Sequence, residues 1–184
     1  YNTLVKGCKN TNIPEDITFI GHYAFYGCNN LSITSFPESV SDFGEYAFAG
    51  ATINEIVIPT SVTYICESCF SNATINRVEI PYSETPIRYS CSEGSNYAYT
   101  VFTKATIGTL IIDRLLSQVL SSEYVAPFFN TQIDKVYEGI HGQNWYSSST
   151  IQDYYYPEGI TDVKQNSSFK YMGSGMYYSG GNST

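Results

Sequence analysis

The sequence predicts a solenoid of stacked repeats, in the α/β solenoid class but mostly β, with a parallel sheet and a few short helices. Two observations lead to this fold class. The 184-residue chain contains 18 Tyr and 10 Phe, and aromatic and β-branched side chains suit the pleated surface of a sheet. A short unit recurs along the chain with almost constant length, and a unit of this size buries its apolar faces only against stacked neighbours.

The repeat is most regular in the first half of the chain. The stretch at 53–59 reads Ile-Asn-Glu-Ile-Val-Ile-Pro, and the stretch at 75–81, one unit later, reads Ile-Asn-Arg-Val-Glu-Ile-Pro. The prolines that close successive units are almost evenly spaced, at Pro14, Pro37, Pro59 and Pro81. Copies that keep their phase over four units predict equivalent coils of one solenoid.

The same unit continues in the second half with interruptions. Its aromatic residue recurs at spacings of 23, 22, 32, 26, 18 and 23, at Phe25, Phe48, Phe70, Phe102, Phe128, Tyr146 and Phe169. The spacing of 32 predicts an insertion within 82–100. The spacing of 26 contains four apolar residues on one helical face after Asp113, a good helix N-cap, and predicts a short helix over 113–121.

Each unit predicts one strand and two walls of a core. In Ile-x-x-Ile-x-Ile-Pro the first, fourth and sixth positions point inward, and the proline ends the strand where its missing N–H does least harm. Val62 and Ile65 supply the opposite wall, while the aromatic residue, such as Phe48 or Phe70, fills the space between the walls and contacts both neighbouring coils. The predicted parallel strands are 31–36, 53–58, 75–80, 107–112, 133–138 and 151–156.

These residues resemble a known repeat family. The stretches IPEDITFIGHYAFYGCNNL and IPTSVTYICESCFSNATINRVEIP look like BspA-like leucine-rich repeats, in which the unit has this length. The resemblance is close over roughly 4–81 and looser over 101–170. It implies a right-handed superhelix that is exported and is used for binding or adhesion at the cell surface. The family pattern contains no catalytic residue and no cofactor, so the resemblance implies that the chain is not an enzyme.

We interpret residues 1–184 as a single leucine-rich-repeat domain. Regular repeats occupy about 4–81, and irregular, inserted repeats occupy about 82–170. A C-terminal tail is assigned to 171–184. The Tyr-rich second half departs from the family pattern, so the uniform part of the solenoid is expected to end near residue 82.

The charge of the chain excludes several classes of partner. Asp and Glu total 17 against 9 Lys and Arg, a net charge of −8, and the pI is near 4.6. Nucleic acids and anionic membranes bind cationic surfaces, so neither is expected as a partner. No apolar run approaches the roughly 20 residues that span a bilayer, so direct membrane insertion is not expected.

Cys66 and Cys69 form a Cys-x-x-Cys, a spacing found in zinc sites and in thiol redox centres. The repeat phase favours another interpretation, because the equivalent positions of earlier coils hold glycine and alanine. We expect both thiols to be buried, unreactive hydrophobic groups; a disulfide, and a metal or redox site, are the alternatives. Cys28 and Cys8 are assigned to another small-residue position of the coil, and Cys91 is expected to be the most exposed thiol.

Neither histidine lies in a recognisable catalytic motif. His22 takes an outward turn position that holds Glu45 and Glu67 in the next two coils, and His141 lies beside Gly142 in the shortest coil. Both are expected to be solvated or capping side chains, since neither has a Ser or Cys nucleophile in a triad setting. No acidic loop has the spacing of a calcium site, so no metal site is predicted.

The outward strand positions predict a ligand-binding face, because in a parallel solenoid they align from coil to coil. The third positions read Ile33, Glu55, Arg77, Thr109, Lys135 and Asp153, and the fifth read Ser35, Val57, Glu79, Ile111, Tyr137 and Tyr155. The third-position row mixes charges that can neutralise one another. The fifth-position row becomes aromatic toward the C-terminus, and aromatic side chains are enriched among the residues that dominate protein binding. The predicted binding residues are Glu55, Arg77, Glu79, Ile111, Lys135, Tyr137, Asp153 and Tyr155. The alternative is that they only cover the sheet, or that the inserts at 82–100 and 113–125 bury them.

The sequence therefore predicts an exported or cell-surface domain that binds an extracellular or host protein without catalysis. A glycan-binding module and a structural spacer of a larger surface protein are the alternatives. Aromatic side chains on the outward face favour binding, and a uniformly polar face favours the spacer.

Overall fold

The structure, a computed structural model, describes residues 2–94, 97–119, 125–142, 146, 149–156 and 168–174. Its strands, numbered in chain order, are β1 (Thr3–Leu4), β2 (Phe19–Ile20), β3 (Leu31–Ile33), β4 (Asp42–Phe43), β5 (Thr52–Val57), β6 (Tyr64–Ile65), β7 (Thr74–Ile80), β8 (Ile87–Tyr89), β9 (Ser92–Gly94), β10 (Tyr97–Tyr99), β11 (Thr106–Ile112), β12 (Leu116–Gln118), β13 (Gln132–Glu138), β14 (Thr150–Tyr156) and β15 (Ser168–Ser174). In these ranges no helix occurs, in contrast to the few short helices expected from the sequence. Accordingly, the described residues contain no helix long and apolar enough to cross a membrane.

Seven strands form one parallel sheet, which we call the long sheet, in the order β3-β5-β7-β11-β13-β14-β15. The repeat phase sets its register: Ile53 stands opposite Ile75, and Ile75 opposite Ile107. This confirms the predicted parallel stacking of equivalent coils. The long-sheet strands β5, β7, β11, β13 and β14 each begin one residue earlier than predicted.

The first strand of the long sheet is out of phase with the rest. The pairing of β3 with β5 shifts by one residue within β3, so that Ser32 stands opposite Glu55 and Ile33 opposite Ile56. Ile33 therefore takes an inward position and packs against the core. The expectation that Ile33 and Ser35 belong to the outward rows is wrong, because Ser35 lies beyond the end of β3.

Six strands of two or three residues form a second parallel sheet, which we call the short sheet, in the order β1-β2-β4-β6-β8-β12. It is the opposite wall of the core. Val62 and Ile65, which the sequence assigned to this wall, are completely buried. The two-wall organisation of the coil is therefore confirmed.

The helix predicted over 113–121 is wrong in the described part of that range. Leu116–Gln118 is strand β12 and pairs in parallel with β8. The neighbouring coil satisfies backbone groups that a helix would have satisfied locally, so tertiary pairing overrides a short apolar pattern. Asp113, the expected N-cap, instead accepts a hydrogen bond from the backbone N–H of His141 at 2.9 Å.

Aromatic rings stack continuously between the two sheets, and we call this stack the aromatic ladder. Its centroids lie 5.1, 5.0, 4.9, 4.9 and 5.1 Å apart along Phe25, Phe48, Phe70, Phe102, Phe128 and Tyr146. Phe48 and Phe70 each stack on two neighbours and are completely buried, which confirms their predicted role. Phe169 departs from the pattern: it lies in β15 opposite Ile151, so its assignment as a seventh ladder residue is wrong.

A left-handed turn follows each Phe of the ladder. The residue two positions after the ring has a φ of 64, 66, 56, 60 and 54° at Gly27, Gly50, Asn72, Lys104 and Asn130. Glycine and asparagine adopt this conformation at the lowest cost, which explains their recurrence at this position of the unit.

The insertion expected within 82–100 is a β-hairpin, in which β9 pairs antiparallel with β10. The same range also contains β8, which belongs to the short sheet, so the inserted part is shorter than predicted. The hydroxyl of the buried Tyr89 in β8 donates to the carbonyl of Val125 at 2.7 Å. This bond ties the segment before the hairpin to the next coil.

Candidate functional site on the outward face of the long sheet

Two rows of side chains cross the long sheet on the face directed away from the core. The third-position row pairs Glu55, Arg77, Thr109, Lys135 and Asp153, and the fifth-position row pairs Val57, Glu79, Ile111, Tyr137 and Tyr155. All eight predicted binding residues therefore stand in two adjacent rows of one surface, which we call the strand face.

Arg77 bridges two carboxylates on the strand face. Its guanidinium donates to Glu55 Oε1 at 2.5 Å and to Glu79 Oε2 at 2.7 Å. All three side chains are between 22 and 35% exposed, and pairs of this kind contribute about 0–1 kcal/mol each. The network therefore fixes Arg77 across the sheet and neutralises part of the acidic charge, as the sequence predicted.

Lys135 and Asp153 stand opposite each other on β13 and β14. Lys135 is exposed and Asp153 is half-buried. Both lie in the row beside the tyrosines of the same strands. Charges of both signs therefore border the aromatic part of the strand face.

Tyr137 and Tyr155 stack on the strand face, with ring centroids 4.8 Å apart and ring planes 12° from parallel. Both side chains are half-buried. A rigid ring with a polar end loses little side-chain entropy on binding, which suits it to a recognition surface. Ile111, expected at the centre of this surface, is only 7% exposed and so offers little area to a ligand.

His141 forms a small cluster at the end of the strand face. Its backbone N–H and its Nδ1 both bond to Asp113 Oδ1, at 2.9 and 3.0 Å, and its ring lies 4.0 Å from that of Tyr82. The three residues follow β7, β11 and β13, so each belongs to a different coil. Sequence reasoning anticipated a capping or solvated His141 but missed its partners, because they are distant from it in the sequence.

His22 has the capping role that its turn position predicted. It is exposed, and its Nδ1 accepts a hydrogen bond from the backbone N–H of Glu45 at 2.9 Å. In a later coil the backbone N–H of Glu67 donates to the hydroxyl of Ser90 at 2.9 Å. Side-chain acceptors thus satisfy the same backbone group in successive turns.

The five thiols are all free. Cys69 is buried as predicted, and burial raises its pKa well above the usual value. Cys66 is only half-buried, which corrects the expectation of full burial; it lines a shallow groove of about 290 Å³ beside His22. Burial, followed by the charges of Glu45, Asp42 and Glu67, raises the pKa of Cys66 to about 11. The most exposed thiol is Cys8 rather than Cys91, and Cys28 is half-buried.

The structure does not assemble a metal site from the Cys-x-x-Cys. Within the described ranges, no three His, Cys, Asp or Glu side chains are grouped so that they could hold a metal ion.

Glu138 is a buried carboxylate that the repeat pattern did not single out. It takes the sixth strand position, which Ile80 and Ile112 take in the preceding coils, yet it is only 2% exposed. The hydroxyl of Tyr154 donates to it. Burial, followed by the charge of Glu138, raises the pKa of Tyr146 well above its usual value. The group is a polar replacement within the core.

Arg114 is the other buried charge that sequence reasoning missed. Its Nε donates to the carbonyl of Thr85 at 2.6 Å, and its Nη1 to the carbonyl of Pro59 at 3.4 Å. Burial lowers its pKa to about 10, so the side chain is charged at neutral pH. Arg114 therefore joins three coils through backbone carbonyls.

Comparison with known proteins agrees with the repeat geometry. A family model described as the BspA type leucine rich repeat region matches in six copies over residues 4–112. No curated protein and no solved structure matches the chain. Repeats of this family are typically protein-binding, generally non-catalytic and generally associated with cell-surface proteins. The match covers more than half of the 184 residues, and the chain belongs to the BspA-type leucine-rich repeat family.

Proposed function

We propose that this chain is an exported or cell-surface adhesion domain that binds an extracellular or host protein through the strand face, without catalysis. The observation that carries the proposal is the stacked, half-buried pair Tyr137 and Tyr155, aligned beside Lys135 and Asp153. Family membership supports a protein-binding role at a surface.

The arrangement of the strand face supports a protein as the ligand. Protein interfaces combine an apolar or aromatic centre with a polar rim, and energetically dominant contacts are enriched in Tyr and Arg. The tyrosine pair provides the centre, while Arg77, Lys135 and Asp153 provide charges of both signs around it. A partner with mixed charges around an apolar contact would match this pattern better than a uniformly charged polymer would.

The test compares two pairs of tyrosines. Purified protein is screened against immobilised extracellular-matrix proteins and a glycan array, and the affinity of the strongest protein ligand is measured by calorimetry. We expect Tyr137→Ala with Tyr155→Ala to weaken this affinity at least tenfold, with a small change in melting temperature.

The matched control is Tyr23→Ala with Tyr26→Ala, which removes two tyrosines that are 54 and 59% exposed and lie outside the long sheet. It is expected to bind like the wild type. Unchanged affinity in the Tyr137/Tyr155 variant would show that the ligand binds elsewhere than on the strand face. Binding to glycans alone, or to no probe, would favour the glycan-binding module or the spacer.

A further inference from the structure

Cys28 lies beside the peptide bond that precedes Cys8 in the folded chain, although the two cysteines belong to different units of the sequence. The Cys28 thiol donates to the carbonyl oxygen of Gly7, with an S···O distance of 3.5 Å. That carbonyl belongs to the peptide bond that joins Gly7 to Cys8. Burial first, and the nearby Cys8 second, raise the pKa of Cys28, which is a further sign that the thiols are close.

The backbone beside both thiols is already held in place without a bond between them. The Gly7 N–H donates to the carbonyl of Ala24 at 2.7 Å. The ring of Phe25 fills the space where a Cβ at position 7 would stand, 2.1 Å from ring atom Cε1. The first coil is therefore docked on the second, and Cys28 contacts the first coil one residue before Cys8.

The two thiols differ in exposure and in the direction of their pKa shifts, as expected of an attacking and a resolving thiol. Cys8 is exposed, and hydrogen bonds from the Thr11 hydroxyl and the Asn10 backbone lower its pKa. An exposed thiol with a lowered pKa is the attacking group in exchange reactions. The Cys-x-x-Cys pair has the opposite character, because burial raises the pKa of both Cys66 and Cys69.

We propose that Cys8 and Cys28 are an oxidisable pair that forms a disulfide and closes the first coil onto the second. The oxidant is a small-molecule disulfide such as oxidised glutathione. The Cys8 thiolate attacks one of its sulfurs, breaks its S–S bond and releases one glutathione thiolate. The Cys28 thiolate then attacks Sγ of Cys8 in the mixed disulfide, forms the protein S–S bond and releases the second. The two cysteines together lose two electrons and two protons. The glutathione disulfide takes up these electrons and protons and becomes two thiols.

The bond would act on the coil that has a stacked neighbour on one side only in the described residues. A crosslink between residues 8 and 28 restricts the unfolded chain over a loop of about 20 residues. It would also keep β1 on the short sheet when the end coil opens. Oxidising conditions outside the cell favour such a bond, but the proposal concerns the chain itself and does not depend on the proposed ligand.

The test uses the full 184-residue protein, folded and reduced, and then incubated with oxidised glutathione. We expect the count of titratable thiols in denaturant to fall from five to three. Trypsin cleaves after Lys6 and Lys9, so mass spectrometry should find the peptide 7–9 joined by a disulfide to the peptide 10–77 that contains Cys28. Fragmentation of the second peptide identifies which of its cysteines is bonded. Exchange of the Gly7 amide hydrogen should slow at least tenfold.

Three variants separate this pair from the other thiols. Cys8→Ser and Cys28→Ala should each abolish the linked peptide; alanine fits position 28 because Ala51 and Ala73 hold the equivalent position. Cys66→Ala is the matched control and should form the linkage at the wild-type rate. Glutathione that stays on Cys8, a dimer crosslinked through Cys8, or a bond of Cys8 to Cys66 or Cys69 would each overturn the proposal.

Discussion

Ser68 occupies a position that its side chain does not suit. Its φ is 57°, in the left-handed region that disfavours residues with a Cβ. The side chain is completely buried, and its hydroxyl has no hydrogen-bond partner among the described residues. The strained backbone and the unpaired hydroxyl each lower the free energy of unfolding.

We predict that Ser68→Gly raises the free energy of unfolding by about 1 kcal/mol, because glycine adopts positive φ freely and removes the unpaired hydroxyl. Urea titration followed by circular dichroism measures the change. Ser71→Gly is the control: Ser71 is also buried, its φ is not positive, and its hydroxyl accepts a hydrogen bond from Asn72. That variant should be destabilised by a similar amount, and a loss of stability in both would contradict the interpretation of Ser68.

Individual side chains were predicted well where the repeat determines them and poorly where a contact crosses coils. The inward phase of Val62 and Ile65 followed from the pattern of one unit, and both are buried. The bond between His141 and Asp113 joins residues on different coils, and nothing in the local sequence of either residue points to the other. The exposure of Cys8 was missed for the same reason, since it depends on the end of the stack.

Among the structural elements, the aromatic ladder connects the two sheets from the coil of Phe25 to the coil of Tyr146. Each interior ring replaces solvent on both faces with another ring, at centroid distances of 5.0 and 4.9 Å for Phe70, and buried aromatic pairs add stability beyond their buried area. The ring therefore contributes to three coils at once.

Phe70→Ala is expected to lower the free energy of unfolding by roughly 3–5 kcal/mol, the range for truncating a buried Phe. The cavity would open between the rings of Phe48 and Phe102. Tyr26→Ala, which removes an aromatic ring that is 59% exposed, should change stability by less than about 1 kcal/mol. Denaturant midpoints of the two variants test both expectations. An unchanged midpoint in Phe70→Ala would contradict the stabilising role of the aromatic ladder.

The strands of the long sheet were predictable because one apolar pattern recurs in phase, so that register follows from counting. The predicted helix failed because a short cluster of apolar residues fits a helix and a short strand equally well. Residues 116–118 form a strand because the free edge of β8 offers them parallel hydrogen bonds. The outward rows were predictable from β5 to β14, and they failed at β3, where the register shifts.

For the whole molecule, ionisation of buried and half-buried thiol and phenol groups lowers the free energy of unfolding at alkaline pH. Cys66 and Cys69 have raised pKa values in the folded chain, mainly through burial, and so has Tyr146. The unfolded chain releases these protons at lower pH than the folded chain does. The free energy of unfolding therefore falls once the pH passes the unfolded pKa of the thiols.

We predict that stability is constant up to about pH 8 and declines as the pH rises through the range between the unfolded thiol pKa of about 8.5 and the folded pKa of Cys66 of about 11. Cys69→Ala should lower stability by roughly 1–2 kcal/mol at neutral pH and make the decline shallower. Urea midpoints at pH 7, 9 and 10.5 for both proteins measure the effect. If stability declines with pH equally in the wild type and in Cys69→Ala, Cys69 ionises equally in the folded and unfolded states, contrary to its burial.

The nearly constant spacing of the aromatic ladder fixes the pitch of the solenoid independently of how many residues a coil contains. The separation of ladder residues in the sequence varies widely from coil to coil, yet their rings remain 4.9–5.1 Å apart, close to the spacing of hydrogen-bonded strands. Extra residues must therefore lie outside the two stacked sheets, as β9 and β10 do in a two-stranded sheet of their own. A foreign peptide grafted between β9 and β10 would therefore leave the rise from one coil to the next unchanged.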